Sequence, residues 1–267
     1  MLKWLLMFDT ALLTLSLIAQ AASPSPVIAL RAGLSVLPTN LVASRQNVRL
    51  DGVRPGGAPL EQTRQVEAAR FGPALALGLT VEPLPWLTTS LQIDALLASF
   101  ASNEGKNGQV YGARLALGAG AHLWRRGPLA LSAGVSGAVR FGGYGVTSFD
   151  RAGQPSVTVG DSTFYDDDIG VHVVDVAWQL GPTLSASYAL SSRWRLALSV
   201  AHLWTLSQRS SINVAGEVED GTVAWERVEL DAPSFVWTSQ GRRVVGPDTL
   251  PYTLSGPSLA LLVLYTF

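Results

Sequence analysis

The side chains best suited to acid–base chemistry in this chain are its three histidines, His122, His172 and His202. His172 and His202 fall near one end of two neighbouring apolar segments, with Asp175 and Ser207 a few residues away. A base, an acid and a hydroxyl at an apolar rim would suit transfer or hydrolysis of an acyl chain. No local motif joins the four, so a rim-located lipid hydrolase or acyltransferase is the third of three functional readings and the chain is expected not to be an enzyme. His122 lies at the opposite end, among small and polar residues. The acidic run "GDSTFYDDD" carries Asp161, Asp166, Asp167 and Asp168. Hard cations favour several carboxylate oxygens, but the spacing is not that of an EF-hand. The run is read as a solvated loop, and neither a metal nor any other cofactor is expected.

Bulk properties narrow the setting. Nineteen basic against twenty acidic residues leave a formal charge of −1, which argues against nucleic acid as a partner. Only 15% of residues are charged, well below the usual share of about 25%. There is no cysteine, so no disulfide frame, thiolate metal site or acylated-cysteine anchor is expected. Residues 1–22 read as a signal peptide: Lys3, the apolar stretch 11–19, then the small-x-small site Ala19-Gln20-Ala21. Residues 23–267 hold no apolar run long enough for a spanning helix.

Period-two alternation dominates that remainder. Eight segments show it, at 27–37, 70–82, 86–99, 110–124, 128–142, 172–188, 194–204 and from 252 to the end. In each, one set of alternate residues is large and apolar and contains no Asp, Glu, Lys or Arg. The other set is small or polar and carries every strand-embedded charge, from Arg31 to Arg195. A soluble sandwich puts its charges on the outer face and its apolar side in the core. Small and polar residues suit the crowded inside of a narrow cylinder, whose apolar outside then meets lipid. The connections alternate too: short at 82–85, 125–128 and 189–193, long at 38–69, 100–109, 143–171 and 205–251. A membrane barrel has short periplasmic turns and long extracellular loops. The fold class expected is therefore all-β: an eight-stranded antiparallel up-and-down transmembrane barrel.

Each short turn carries a tryptophan, Trp86, Trp124 or Trp194. With Tyr188, Tyr265 and Phe267 these are read as an inner aromatic girdle at the lipid boundary. The last segment is taken to pair with the first, because lipid tolerates no open sheet edge. The ending, with Phe267 last and Tyr265 two before it, resembles the C-terminal signature of bacterial outer-membrane barrels. The eight-strand plan resembles the OmpA-, OmpX- and OmpW-type small barrels, with no subfamily motif and no peptidoglycan-binding domain after the barrel. The resemblance implies a bacterial outer-membrane location in a Gram-negative-type envelope. It also implies contact with outer-membrane lipid and lipopolysaccharide, and a C-terminus read by the barrel-insertion machinery. A monomer is expected.

Lumen charges should be paired, because an isolated buried charge is costly. Counting up from the inner ends puts Asp94 beside Arg114, and Arg140 beside Asp175, as neighbouring-strand pairs. They are read as structural, holding the lumen together; lining a narrow ion path is the sharper alternative. In the fourth loop Asp220-Gly221 is a hairpin signal, the stretch 234–245 suggests another, and Trp225, Phe235 and Trp237 are there either to pack the loop or to engage a partner. The leading functional expectation is a non-enzymatic envelope barrel with a structural or surface-contact role through its outer loops. A small passive pore for ions or small solutes is the alternative.

Overall fold

The computed structural model describes residues 26–51, 59–100, 108–149, 156–165 and 168–267. The expected signal peptide, residues 101–107 of the second loop, and Asp166 and Asp167 lie outside the described residues. The strands, in chain order, are β1 (Val27–Leu41), β2 (Ser44–Leu50), β3 (Leu60–Val66), β4 (Ala69–Leu84), β5 (Leu87–Phe100), β6 (Gly108–Arg126) and β7 (Leu129–Phe149). They continue with β8 (Val157–Val159), β9 (Ser162–Phe164), β10 (Ile169–Ala189), β11 (Trp194–Glu217), β12 (Val223–Val228), β13 (Phe235–Ser239), β14 (Arg242–Val244) and β15 (Gly256–Thr266).

Eight of these form a closed ring. The order β10-β7-β6-β5-β4-β1-β15-β11 is completed by pairing of β10 with β11, and every pair is antiparallel. The first and last segments pair as expected, with Leu34 opposite Leu261 and Leu30 opposite Tyr265. Alternation sets the faces. Leu34, Leu75, Leu77, Ile93, Val135, Leu184, Leu198 and Leu261 are exposed on the outside, while Ala29, Ala76, Ala116, Ala138, Ala197 and Ala260 are buried inside. A continuous greasy exterior around a small-residue interior makes this a transmembrane barrel.

The apolar band has a measurable height. Exposed Trp204 stands ten residues above Trp194 on β11, and Trp178 ten above Tyr188 on β10. At a rise of about 3.3 Å per residue and a tilt of about 40°, ten residues span about 25 Å, the height of a lipid-facing band. The aromatic pairs therefore mark both boundaries.

Three of the prolines within barrel strands, Pro73, Pro182 and Pro257, share one feature. A proline has no N–H to give to a ladder. Pro73 sits just before the β4–β5 pairing begins at Ala74, and Pro257 just before the β1–β15 pairing begins at Leu259. Pro182 falls where the β10–β11 ladder is interrupted between Leu180 and Thr183. Each occupies a site where one ladder already lacks a bond.

Several strands run well past the band, and this exceeds the sequence expectation. The alternation in 194–204 ends at Trp204, yet β11 continues to Glu217. A register shift at Trp178/Gln179, facing Thr205–Ser207, changes the parity. Beyond it the outward residues of β11 are Ser207, Arg209, Ser211 and Asn213, while Ile212 and Val214 point in and are buried. The extended strands form the wall of a β head outside the membrane. Inside that wall stands a second sheet, β14-β13-β2-β3. Its strands come from the first and fourth long loops, and β2 and β3 were not anticipated from sequence.

The two fourth-loop hairpins do form. Gly221 and Gly241 adopt positive φ (78° and 74°) at their turns, where a side chain would be strained.

Candidate functional site

The lumen is the natural candidate, and it is filled at two levels. In the lower layer Asp94, wholly buried on β5, accepts from Arg114 Nε on β6 at 2.9 Å, from Ser35 Oγ on β1 at 2.7 Å, and from Gln92 Nε2 at 2.6 Å. Arg114 also reaches Ser258 on β15. Arg31 of β1 donates to Gln92 and weakly to Thr80. Side chains from five strands are thus linked in one network centred on this carboxylate. Asp94 and Arg114 are brought together because they face each other in register.

Arg140 and Asp175 are not brought into an ion pair, which corrects that expectation. In the β7–β10 ladder Arg140 faces Ala177, while Asp175 faces Gly142, one inward position higher. Each is instead satisfied separately, by β1, by β11 and by the segment before β15. Arg140 Nη1 donates to the Pro38 carbonyl at 2.6 Å. Asp175 accepts from Ser210, from Gln208 at 3.1 Å, and from the hydroxyl of Tyr252, which dips in from the segment before β15. Gln179 Nε2 holds the same segment through the Leu254 carbonyl at 2.8 Å. This is the upper layer, and Tyr252 is the member that counting along strands could not find.

Above it the mouth is closed by apolar packing. Leu37 and Leu41 of β1, Tyr144 and Val146 of β7, Val171 and Val173 of β10 and Ile212 of β11 pack against Val48, Leu50, Phe235 and Trp237 of the inserted sheet. Trp237 stacks on Tyr144 (centroids 6.3 Å apart, planes 20°), Tyr144 Oη donates to Gln46, and Arg64 donates to the Val146 carbonyl. Burial pushes the Tyr144 phenol up to about 12, so it stays a donor throughout the physiological range. Phe235 and Trp237 therefore pack the head. Trp225 on β12 is 56% exposed and lies 5.7 Å from His172.

The expected rim histidines do not assemble. His172 faces outward, flanked by Trp225 and by Tyr111, whose ring lies across Gly143 where a Cβ would collide with it. Burial holds the His172 imidazole below its ordinary range. Asp175 points the opposite way, into the lumen. His202 lies against Trp204 with the rings tilted by 52° and pairs with Pro257, whereas His172 pairs with Asn213. About ten ladder positions, roughly 30 Å, separate the two histidines.

At the inner mouth Glu82 of β4 spans the lumen. It takes Arg125 of β6 at 3.0 Å and Arg195 of β11 at 2.7 Å. His122 Nδ1 is 2.8 Å from Ser132 Oγ and its Nε2 is 3.9 Å from Glu82. The set has the composition of a hydrolytic triad but the wrong proton. Arg125 Nη2 lies 2.9 Å from His122 Nε2 and can only donate. Nε2 must then accept, the proton sits on Nδ1 facing Ser132, and the hydroxyl is not activated. The girdle residues Trp86, Trp124 and Trp194 are 57%, 47% and 48% exposed around this end; Trp194 contacts Tyr265, and Tyr265 contacts Phe267. The Phe267 N–H donates to the Ile28 carbonyl at 3.2 Å.

No protein-family model matches the chain, and no curated protein matches it. Among solved structures it is similar to the outer membrane protein OprG from Pseudomonas aeruginosa, at 10% identity and a TM-score of 0.48, covering 92% of this chain and 98% of that one. A major outer membrane protein from Thermus thermophilus gives 10% identity and a TM-score of 0.49, covering 91% and 100%. The outer membrane protease OmpT from Escherichia coli gives 12% and 0.35, covering 90% and 97%. The architecture is that of an outer-membrane β-barrel. The closed ring, the apolar exterior and the band of about 25 Å define it.

Proposed function

We propose that this protein is a closed, non-enzymatic outer-membrane barrel whose role is to hold a folded β head at the cell surface, with contacts made by that head and not by solutes in the lumen. The observation that carries this reading is the threefold closure of the barrel. The Asp94 layer ties five strands together, the Asp175–Tyr252 layer lies above it, and an inserted sheet with an apolar core fills the mouth. A solute would have to break all three. The head is built for contact in another sense: Trp225, Val223 and Val245 stand exposed on it although its interior is well filled. Catalysis lacks support at both histidine clusters, since one is dispersed and the other holds its proton on the wrong nitrogen. Lipid and lipopolysaccharide are the surroundings this reading requires, delivery is by the barrel-insertion machinery, and one chain suffices for a closed ring.

Planar bilayers test it. Purified full-length protein should add no resolved conductance steps over a lipid-only membrane at moderate voltage. Reproducible unit steps from the wild-type chain, with a size altered by Asp94→Ala, would establish the passive-pore reading in its place.

A further inference from the structure

Below the Asp94 layer the lumen is not filled. Most inward side chains there are alanines, glycines, serines and threonines, with Leu203, Leu262 and Leu264 among them, and they leave a cavity of about 140 Å³. It runs from Arg31 and Arg114 at its ceiling to Glu82 and Arg195 at the inner mouth, with Ser185 and Ser199 on its wall. The inner end is partly open to solvent, the Arg125 and Arg195 side chains being 43% and 29% exposed.

The charges around this space do not balance. Arg114 is neutralised by Asp94, and Glu82 is shared between Arg125 and Arg195. Arg31 has no carboxylate partner among the described residues. Asp94 is already engaged by Arg114, Ser35 and Gln92, and Arg31 is left with a glutamine oxygen and a weak hydroxyl contact. Its Nε is buried and has no acceptor. A partly buried guanidinium in this position is desolvated without a carboxylate of its own to compensate it. The missing element is an acceptor with negative charge, and a guanidinium fork matches the paired oxygens of an oxyanion. Around it the wall supplies hydroxyl donors, and the space is several waters in size. The small volume and the charged residues at both ends do not suit a large apolar ligand.

We propose that this blind, periplasm-facing vestibule binds a small oxyanion, with Arg31 as the principal contact and the lumen hydroxyls as secondary donors. The Glu82 clasp with Arg125 and Arg195 stands at its entrance. The site is independent of the surface role proposed above, since the Asp94 layer separates it from the head.

Inorganic phosphate serves as the probe. Full-length protein in detergent, exchanged into phosphate-free buffer at constant ionic strength with chloride, is titrated by calorimetry. Saturable binding at one equivalent is expected. Arg31→Gln should weaken it at least tenfold, and Ser185→Leu, which fills the cavity but leaves Arg31 in place, should do the same. Heat-shifted gel mobility reports folding of each variant; if Arg31→Gln fails to fold, Ser185→Leu decides. Absence of saturable binding by the wild type, or undiminished binding in a folded variant, overturns the proposal.

Discussion

Removing Asp94 should cost much more than removing its partner Arg114. In the lower layer Arg31 and Arg114 contribute two positive charges and Asp94 one negative, so the layer carries a net charge of +1. Asp94→Ala raises that to +2 and strips a carboxylate from Arg114, Ser35 and Gln92 together. Losing one partner of a buried pair costs about 3–5 kcal/mol because the survivor, here Arg114, is left uncompensated; the second, unpaired cation of the layer, Arg31, places the expectation at the upper end. Arg114→Met takes the layer to zero. Asp94 keeps its bonds from Ser35 and Gln92, and Arg31 becomes its nearest cation. The loss is then that of a charge-assisted hydrogen bond, about 1.5–3 kcal/mol. The double variant returns the charge to +1, so it should lie closer to Arg114→Met than to the sum of the two single changes. The assay is urea unfolding of the barrel in phospholipid vesicles, followed by tryptophan fluorescence, with heat-shifted mobility as a second probe. Equal costs for the two single variants, or strict additivity in the double, would refute the idea that Asp94 is the anion around which the layer is organised.

Leu77, 63% exposed near mid-band on β4, should be worth about 2–4 kcal/mol when changed to Arg, because the charge is placed against the lipid midplane; Ser211→Arg, outside the band, should be near neutral in the same unfolding assay. Trp237→Ala should cost the head about 3–5 kcal/mol through loss of a fully buried side chain and its stack on Tyr144. It should open β2 and β3 to trypsin while leaving the heat shift of the barrel intact; loss of both together would mean that head and barrel unfold as one unit. His172 is held neutral by burial, so the unfolded chain binds a proton at higher pH than the folded one. Stability of the head should therefore be greatest above the ordinary imidazole range, near 6.5, and fall as pH drops through it. Near-UV circular dichroism melts at pH 7.5 and 5.5 measure this, and an unchanged pH slope in His172→Gln would remove that residue from the account.

The barrel was legible because lipid imposes one rule on every strand of the band. Leu75, Leu77 and Leu79 alternate with Ala74, Ala76 and Gly78 for the same reason that Leu196, Leu198 and Val200 alternate with Arg195, Ala197 and Ser199. The Asp94–Arg114 contact follows from register, because counting up from the tight inner turns at 82–85 and 125–128 puts the two residues at similar heights on neighbouring strands. What could not be read depends on contacts distant in sequence. Arg140 ends on the Pro38 carbonyl and Asp175 on Tyr252, partners 102 and 77 residues away, and no count of strand positions points to either. The strands β2 and β3 were hidden for a related reason. Ser44, Gln46 and Arg64 are buried members of that sheet, and polar residues on the covered side erase the alternation that marks a strand.

The same chain meets two solvents along one strand, and this explains why period-two reading stops where it does. On β11, Leu196, Leu198, Val200 and Trp204 face outward against lipid, and Ala197, Ser199 and Ala201 face the wet lumen. Past Leu206 water lies outside and an apolar core inside, so the polarity of the faces must reverse. A strand with unbroken parity could do this only by exchanging residue types at every position. The register shift beside Trp178 does it with one extra residue, after which Arg209, Ser211 and Asn213 fall outside and Ile212 and Val214 inside. A bulge changes which face a side chain takes without ending the ladder. The break in alternation after Trp204 is thus the point where the strand leaves the membrane, and the apolar residues beyond it belong to the head that closes the barrel.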